Sequence, residues 1–254
     1  MKRKSVRYYN SFTDDFEQSK DQNFSLPEDY KWVRKDIFSR ILSVLVYLLA
    51  ILFGFFYCKF SLHLKIKGRK KLKGIRGGFF LYGNHTQPIG DVFLPALCAL
   101  PKRIYTVVST ANYGIPLIGK LLPFLGALPV VQSLRGVQRL GEAMEYRLKR
   151  GHPIVIYPEA HVWEYYTKIR PFPDTAFRFP VKMGVPAFAM TVTYKKSGFF
   201  KKPITEVFLD GPFYAEGKST KEKTAHLHEQ VFRAMVDRSR NSNLEYITYK
   251  ENKT

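Results

Sequence analysis

Residues Ile41 to Tyr57 read ILSVLVYLLAILFGFFY, seventeen consecutive positions without a charge. A run of about 20 apolar residues is what a helix needs to cross a bilayer, and a water-soluble core helix normally keeps one polar face. The run lies too far from the N-terminus, behind too much charge, to be a signal peptide. Lys31, Arg34, Lys35 and Arg40 precede it, and Lys59, Lys65, Lys67 and Arg69 follow it. Positive charge on both flanks gives no preferred side for a span. A helix embedded in one leaflet satisfies both flanks better. The alternative is a buried core helix. The chain is thereby divided into a polar N-terminal arm (1–36), a membrane anchor helix (37–60), a main domain (61–240) and a polar C-terminal tail (241–254).

Charge supports a lipid-facing reading. The formal net charge is +20, from 41 Lys and Arg against 21 Asp and Glu. Such an excess attracts nucleic acid, anionic membrane surfaces or phosphorylated ligands. The basic stretch from Lys59 to Arg76 adjoins the apolar run, which favours lipid headgroups over nucleic acid as its partner. Cys58 and Cys98 have no metal or redox spacing and read as small buried residues. Their use fits a reducing, cytoplasm-facing location.

Beyond Phe60, short apolar runs alternate with amphipathic ones. Strands are predicted over 62–67, 78–83, 104–109, 153–158, 187–194 and 206–210. Helices are predicted over 136–150 and 220–238. The first of these carries Val137, Leu140, Met144 and Leu148 on one face, with Gly151 closing it. The fold class is therefore α/β. A mixed or mainly parallel central sheet is flanked by helices and preceded by an N-terminal membrane-embedded helix. Ligands of such sheets collect beyond the strand C-termini.

Two strand ends carry chemistry. In FFLYGNHTQPIGD an apolar strand stops at Gly83, and Asn84, His85 and Asp91 follow within one turn. An Asp folded back onto one imidazole nitrogen fixes the tautomer and leaves the other free to accept a proton. The alternative is a hydrogen-bonded His in a turn beside a helix-capping Asp. In IVIYPEAH another apolar strand ends at Pro158, and Glu159 follows. Glu159 can hold a hydroxyl or support a charged partner, or serve only as a helix N-terminal acid.

Asn84, His85 and Asp91 resemble the NHxxxxD signature of the glycerophosphate and lysophosphatidic acid acyltransferase family. Tyr157-Pro158-Glu159 resembles that family's FPEG block. Pro171-Phe172, Ala176-Phe177-Arg178 and Gly184-Val185-Pro186 resemble its PFKxGAFR and GVPIVPV blocks, in the family's order. Four departures stand out, one being Pro173-Asp174-Thr175 in place of the family's Lys-x-Gly. Five residues, Thr86 to Gly90, separate His85 from Asp91 where the family has four, and Gly90 is expected to absorb the extra one in a bulged turn. Ala160-His161-Val162 replaces Gly-Thr-Arg, so the arginine that would grip a phosphate is missing. Gln132 stands near the position of an expected Asp-Arg.

The resemblance implies acyl transfer from acyl-CoA or an acyl carrier protein to the hydroxyl of a lysolipid, most simply 1-acyl-glycerol-3-phosphate. His85 would take the hydroxyl proton, Asp91 would orient it, and Asn84 and Glu159 would help to bind the acceptor. Arg135, Lys168, Arg170 and Arg178 would supply the positive charge for a phosphate. Neither a metal nor a cofactor is implied, and the active site would face the cytoplasm. Two rival readings stay open: a lipid-binding protein with a decayed site, and a metal-dependent hydrolase using His85, Asp91, Glu159 and His161. A serine hydrolase is set aside because GxSxG is absent.

Overall fold

A computed structural model describes residues 5–17, 24–199 and 202–252. Residues 1–4 and 18–23 of the arm, and the last two of the tail, lie outside the described residues. Strand β1 (Ser5–Tyr9) comes first, and helix α1 (Ile37–Phe56) runs on into a π-helical turn, Tyr57–Ser61. Then follow β2 (Lys65–Lys67), α2 (Lys70–Lys73), β3 (Phe80–Gly83), α3 (Gly90–Ala99) and β4 (Tyr105–Ser109). The chain continues through α4 (Ile118–Leu125), β5 (Ala127–Val130), α5 (Leu134–Leu148), β6 (Ile154–Ile156) and α6 (Arg178–Met183). It ends with β7 (Ala187–Lys195), β8 (Ile204–Phe213), α7 (Thr220–Ser239) and β9 (Ile247–Glu251).

Seven strands form the central sheet in the order β2-β8-β7-β3-β6-β4-β5. Strands β7, β3, β6, β4 and β5 are mutually parallel; β8 runs antiparallel to β7, and β2 parallel to β8. The sheet is mixed and mostly parallel, and its five co-directional strands end on one edge.

The alternation of side chains along β3 explains the layers. Phe79 and Leu81 enter one core with Leu94, Leu97, Cys98, Val192 and Leu209, beneath α1, α2 and α3. Phe80 and Tyr82 enter the other with Leu140, Met144, Phe177, Leu227 and Val231, beneath α5, α6 and α7. The expected apolar face of α5 needs one correction. Leu140, Met144 and Leu148 are buried, but Val137 is 45% exposed because the helix rolls Gly136 and Ala143 inward instead.

Helix α1 starts under an Asp36 cap, whose carboxylate accepts from Ser39 N at 2.8 Å. With its π-helical extension it is the one helix, among the described residues, long and apolar enough to cross a membrane. One side packs on the domain: a Cβ on Gly54 would sit 2.5 Å from Phe93 of α3, and Ser43 Oγ donates to Phe124 O at 2.8 Å. The other side is bare, with Leu45, Leu48, Leu49, Leu52 and Phe56 each at least half exposed. Ile89 and Val92 beside α3, and Leu117 and Ile118 at the start of α4, are likewise exposed.

The arm and the tail meet. Strand β1 pairs in parallel with β9, Ser5 opposite Ile247 through Tyr9 opposite Glu251. Between this small sheet and the domain lies Trp163, fully buried, with Tyr249 stacked on it at 4.9 Å and Tyr9, Phe12 and Phe16 around it.

Candidate active site

His85 stands just past the end of β3, and Asp91 is the second residue of α3. The imidazole Nδ1 lies 2.7 Å from Asp91 Oδ2. The same oxygen accepts from Thr86 N and Gln87 N, both at 2.9 Å. Three donors on one oxygen fix the carboxylate's position and orient the ring, so Nε2 is left as the proton acceptor. The His85 side chain is 20% exposed, whereas that of Asp91 is 2% exposed.

The extra residue between them does not distort the pair. Gln87 to Gly90 form the turn that starts α3, closed by Asp91 N donating to Gln87 O at 3.0 Å. Gly90 is not in the left-handed region, so the expected bulged turn is absent. Glycine is needed there for space: a Cβ would lie 2.9 Å from both Gln87 Cβ and Leu62 Cδ1.

Neighbouring tyrosines hold the turn. The Tyr157 ring stacks under the imidazole at 4.3 Å, and its hydroxyl donates to Asp91 O at 2.7 Å. Burial, and then the charge of Asp91, push the Tyr157 phenol well above its ordinary pKa, so it stays a donor. Tyr194 on β7 bonds Thr86 Oγ1 at 2.7 Å and donates to Thr86 O at 3.1 Å. Neither tyrosine stands out in the sequence as a site residue. Tyr157 sits inside the YPE block, which is the signal that marks it.

Three residues expected to bind substrate are instead scaffold. Asn84 is buried, donating to Val192 O at 3.1 Å and accepting from Val192 N at 2.7 Å, so its amide latches β3 to β7. Glu159 and Arg170 form a buried pair, their side chains 0% and 1% exposed. Glu159 Oε2 accepts from Arg170 Nη2 at 3.0 Å and Nε at 3.3 Å, and from His85 N at 3.3 Å; Oε1 accepts from Arg170 N at 3.1 Å. Burial raises the Glu159 carboxyl pKa, and Arg170 pulls against that rise. Arg170 spends its remaining donors on Phe12 O at 3.2 Å and on His161 O. With every polar atom engaged and no exposed surface, neither group reaches an acceptor. The pair ties the loop after β6 to the backbone of His85.

Arg135, Lys168 and Arg178 are exposed, and no hydrogen bond or ion pair joins any of them to His85 or Asp91. Arg135 follows β5, three strands away from β3 across the sheet. The ligand set of the metal-hydrolase reading is not assembled: Glu159 is closed around Arg170, and His161 lies 3.3 Å from Asp15. Among the described residues no three His, Cys, Asp or Glu side chains gather where an ion could sit.

A part-buried, oriented His–Asp pair thus stands at the C-terminal edge of a mostly parallel sheet, beside a long apolar helix, in an arrangement able to move a proton. The Acyltransferase family model matches residues 63–193, which include both members of the pair, and the chain belongs to this family. Among solved structures it is similar to the 1-acyl-sn-glycerophosphate (LPA) acyltransferase PlsC from Thermotoga maritima. That similarity covers 81% of this chain and 97% of the other at a TM-score of 0.50 and 14% identity, and it shows the shared fold. A comparison with curated proteins found no match.

Proposed function

We propose that this acyltransferase moves a fatty acyl group from an acyl thioester, acyl-CoA or acyl carrier protein, to the hydroxyl of a lysolipid, with 1-acyl-glycerol-3-phosphate as the leading acceptor. The observation that carries the reading is the 2.7 Å contact between His85 Nδ1 and Asp91 Oδ2, with Nε2 left free. Nε2 takes the proton of the acceptor hydroxyl as its oxygen attacks the thioester carbonyl. Collapse of the tetrahedral intermediate breaks the C–S bond, and the thiolate leaves with the proton from the imidazolium. Asp91 holds the ring and offsets its positive charge during the step. The donor is already activated, so no covalent enzyme intermediate is needed. A base positioned in this way contributes about 10²–10⁴-fold.

The acceptor's identity draws support from the similar protein of Thermotoga maritima, which is a 1-acyl-sn-glycerophosphate acyltransferase. With Arg170 withdrawn into its ion pair and Arg135 three strands away, the exposed Lys168 and Arg178 are the cations proposed to meet the phosphate. The bare face of α1 supports anchoring in one leaflet, with the His85–Asp91 pair near the membrane surface. Soluble thioester donors and two free, buried cysteines fit a cytoplasmic orientation.

The test is turnover of a labelled acyl thioester by the full chain in lipid vesicles, against lysolipids with and without a phosphate monoester. Transfer to the phosphate-bearing acceptor that disappears in His85→Ala supports the reading. Transfer restricted to phosphate-free acceptors overturns the acceptor, and residual full activity in His85→Ala overturns the mechanism.

A further inference from the structure

At the opposite end of the sheet from His85, the first residues of β4 and β5, the start of α1 and the end of α5 enclose a cavity of about 560 Å³. Six Lys and Arg residues line it (Arg34, Lys35, Arg40, Arg103, Arg147 and Arg150), and no Asp or Glu does. None of the six forms a salt bridge among the described residues. Like charges at such density repel one another, and no carboxylate lines the cavity to offset them.

The cations are held in place. The Arg147 guanidinium lies 4.3 Å over the Tyr105 ring, and that of Arg150 lies 3.7 Å over Tyr146. Arg103 donates to Ser43 Oγ at 2.7 Å and to Phe124 O. The Nε atoms of Arg103 and Arg147 are buried without a hydrogen-bond partner among the described residues, a cost the fold carries in holding these cations together. His152, also in the wall, has its pKa lowered by burial and then by Arg147 and Arg103, as expected beside uncompensated positive charge.

The cavity continues onto the anchor. Arg40 and Val44 line it and also belong to an open apolar face of α1 formed with Ile37, Ile41 and Leu45. A cationic wall thus leads directly into a surface suited to hydrocarbon.

We propose that this cavity is a binding site for an anionic phospholipid, distinct from the His85–Asp91 site, with the phosphate among Arg40, Arg103, Arg147 and Arg150 and an acyl chain along Ile37, Ile41 and Leu45. Arg supplies planar, multiply donating contacts to phosphate oxygens, and the aromatic partners keep the guanidinium groups ordered. The bound lipid fixes the N-terminal end of α1 at headgroup level, while the other end of the helix packs on α3 beside the His85–Asp91 turn.

The experiment measures binding, so it stands or falls independently of catalysis. Full-length protein is floated with phosphatidylcholine vesicles with and without phosphatidic acid at fixed ionic strength. Arg40→Gln/Arg150→Gln changes two exposed cavity residues, and Lys218→Gln/Lys221→Gln at the start of α7 removes the same charge outside the basic stretch beside the anchor. The cavity variant is expected to lose roughly tenfold or more in affinity for the acidic vesicles, with the α7 variant close to wild type. Equal losses in both variants would show diffuse surface attraction and overturn the site. Calorimetric titration in detergent then compares short-chain phosphatidic acid with glycerol 3-phosphate and inorganic phosphate. The heat lost in the cavity variant isolates this site from the His85–Asp91 site. Preference for the lipid supports the proposal; equal binding of the free phosphates shows a site that reads phosphate alone and overturns the lipid assignment. Melting temperatures of both variants matching wild type exclude misfolding as the cause of any loss.

Discussion

At the scale of single residues, one buried carboxylate changes role once its partners are known. Glu159 meets Arg170 and the backbone of His85, not solvent. Removing one member of a buried ion pair strands the other, at a cost of about 3–5 kcal/mol. Glu159→Gln is therefore expected to lower the unfolding midpoint in denaturant sharply, and activity with it. A variant of normal stability with only a raised acceptor KM would return Glu159 to substrate binding. Ala160, next in the chain, holds a left-handed φ of +65°, which an L side chain opposes by about 1–2 kcal/mol. The FPEG block of the resembling family has glycine there. Ala160→Gly is expected to stabilise the fold by about 1 kcal/mol after the greater freedom of the unfolded glycine is counted, visible as a higher melting temperature. The role of Asn84 was illegible for a related reason. Whether a polar residue faces a cleft or a backbone partner depends on Val192, more than a hundred positions away.

At the scale of elements, the strands and helices that bury a periodic face could be read from the sequence. Strands β3, β4, β6, β7 and β8 and helices α5 and α7 fall close to the expected ranges, because each is an apolar run or stripe bounded by turn residues. Only Lys65–Lys67 of the 62–67 alternation became a strand, since Leu62 is taken by the end of the π-helical turn. Strand β5 was missed: it is four residues long, contains Pro129 and forms the sheet edge, where a proline is tolerated. The His–Asp turn was legible as a strand end followed by polar residues, and the buried pair behind it was not. Elements are also joined by charge. Asp210 on β8 accepts from Arg238 Nε and Nη2 of α7 at 2.7 and 2.9 Å and from Lys71 of α2 at 2.8 Å. Burial raises the Asp210 pKa, but these bonds outweigh it and leave the pKa below its ordinary value. A depressed folded-state pKa contributes stability above the unfolded value of about 3.9, and that stability is lost as pH falls through the folded value. Acid unfolding of the wild type below about pH 4 should therefore be steeper than that of Asp210→Asn, which is less stable at neutral pH. Parallel pH profiles would contradict this.

At the scale of the whole molecule, the arm and the tail close together over the loop that carries Glu159 and Trp163. Polar residues without period gave no sign that Ser5–Tyr9 would pair with Ile247–Glu251, because the pairing is fixed by what lies beneath it. Trp163 Nε1 donates to Asp14 O at 2.8 Å, and Arg170 Nη1 to Phe12 O, so the arm completes groups on the loop that carries Glu159. Deletion of residues 1–17 is expected to expose Trp163, red-shift the tryptophan emission and cost about 3 kcal/mol or more of stability. Unchanged emission and melting would show that the arm merely rests on the surface. Beside that cover, the fold converges on one oriented imidazole at the sheet edge, next to the long apolar helix. The decisive measurement is the single-turnover rate of acyl transfer in His85→Ala, made with membrane-bound full-length protein whose melting temperature matches wild type. A fall of a hundredfold or more is expected; a rate near that of wild type would contradict the assignment of His85 as the base.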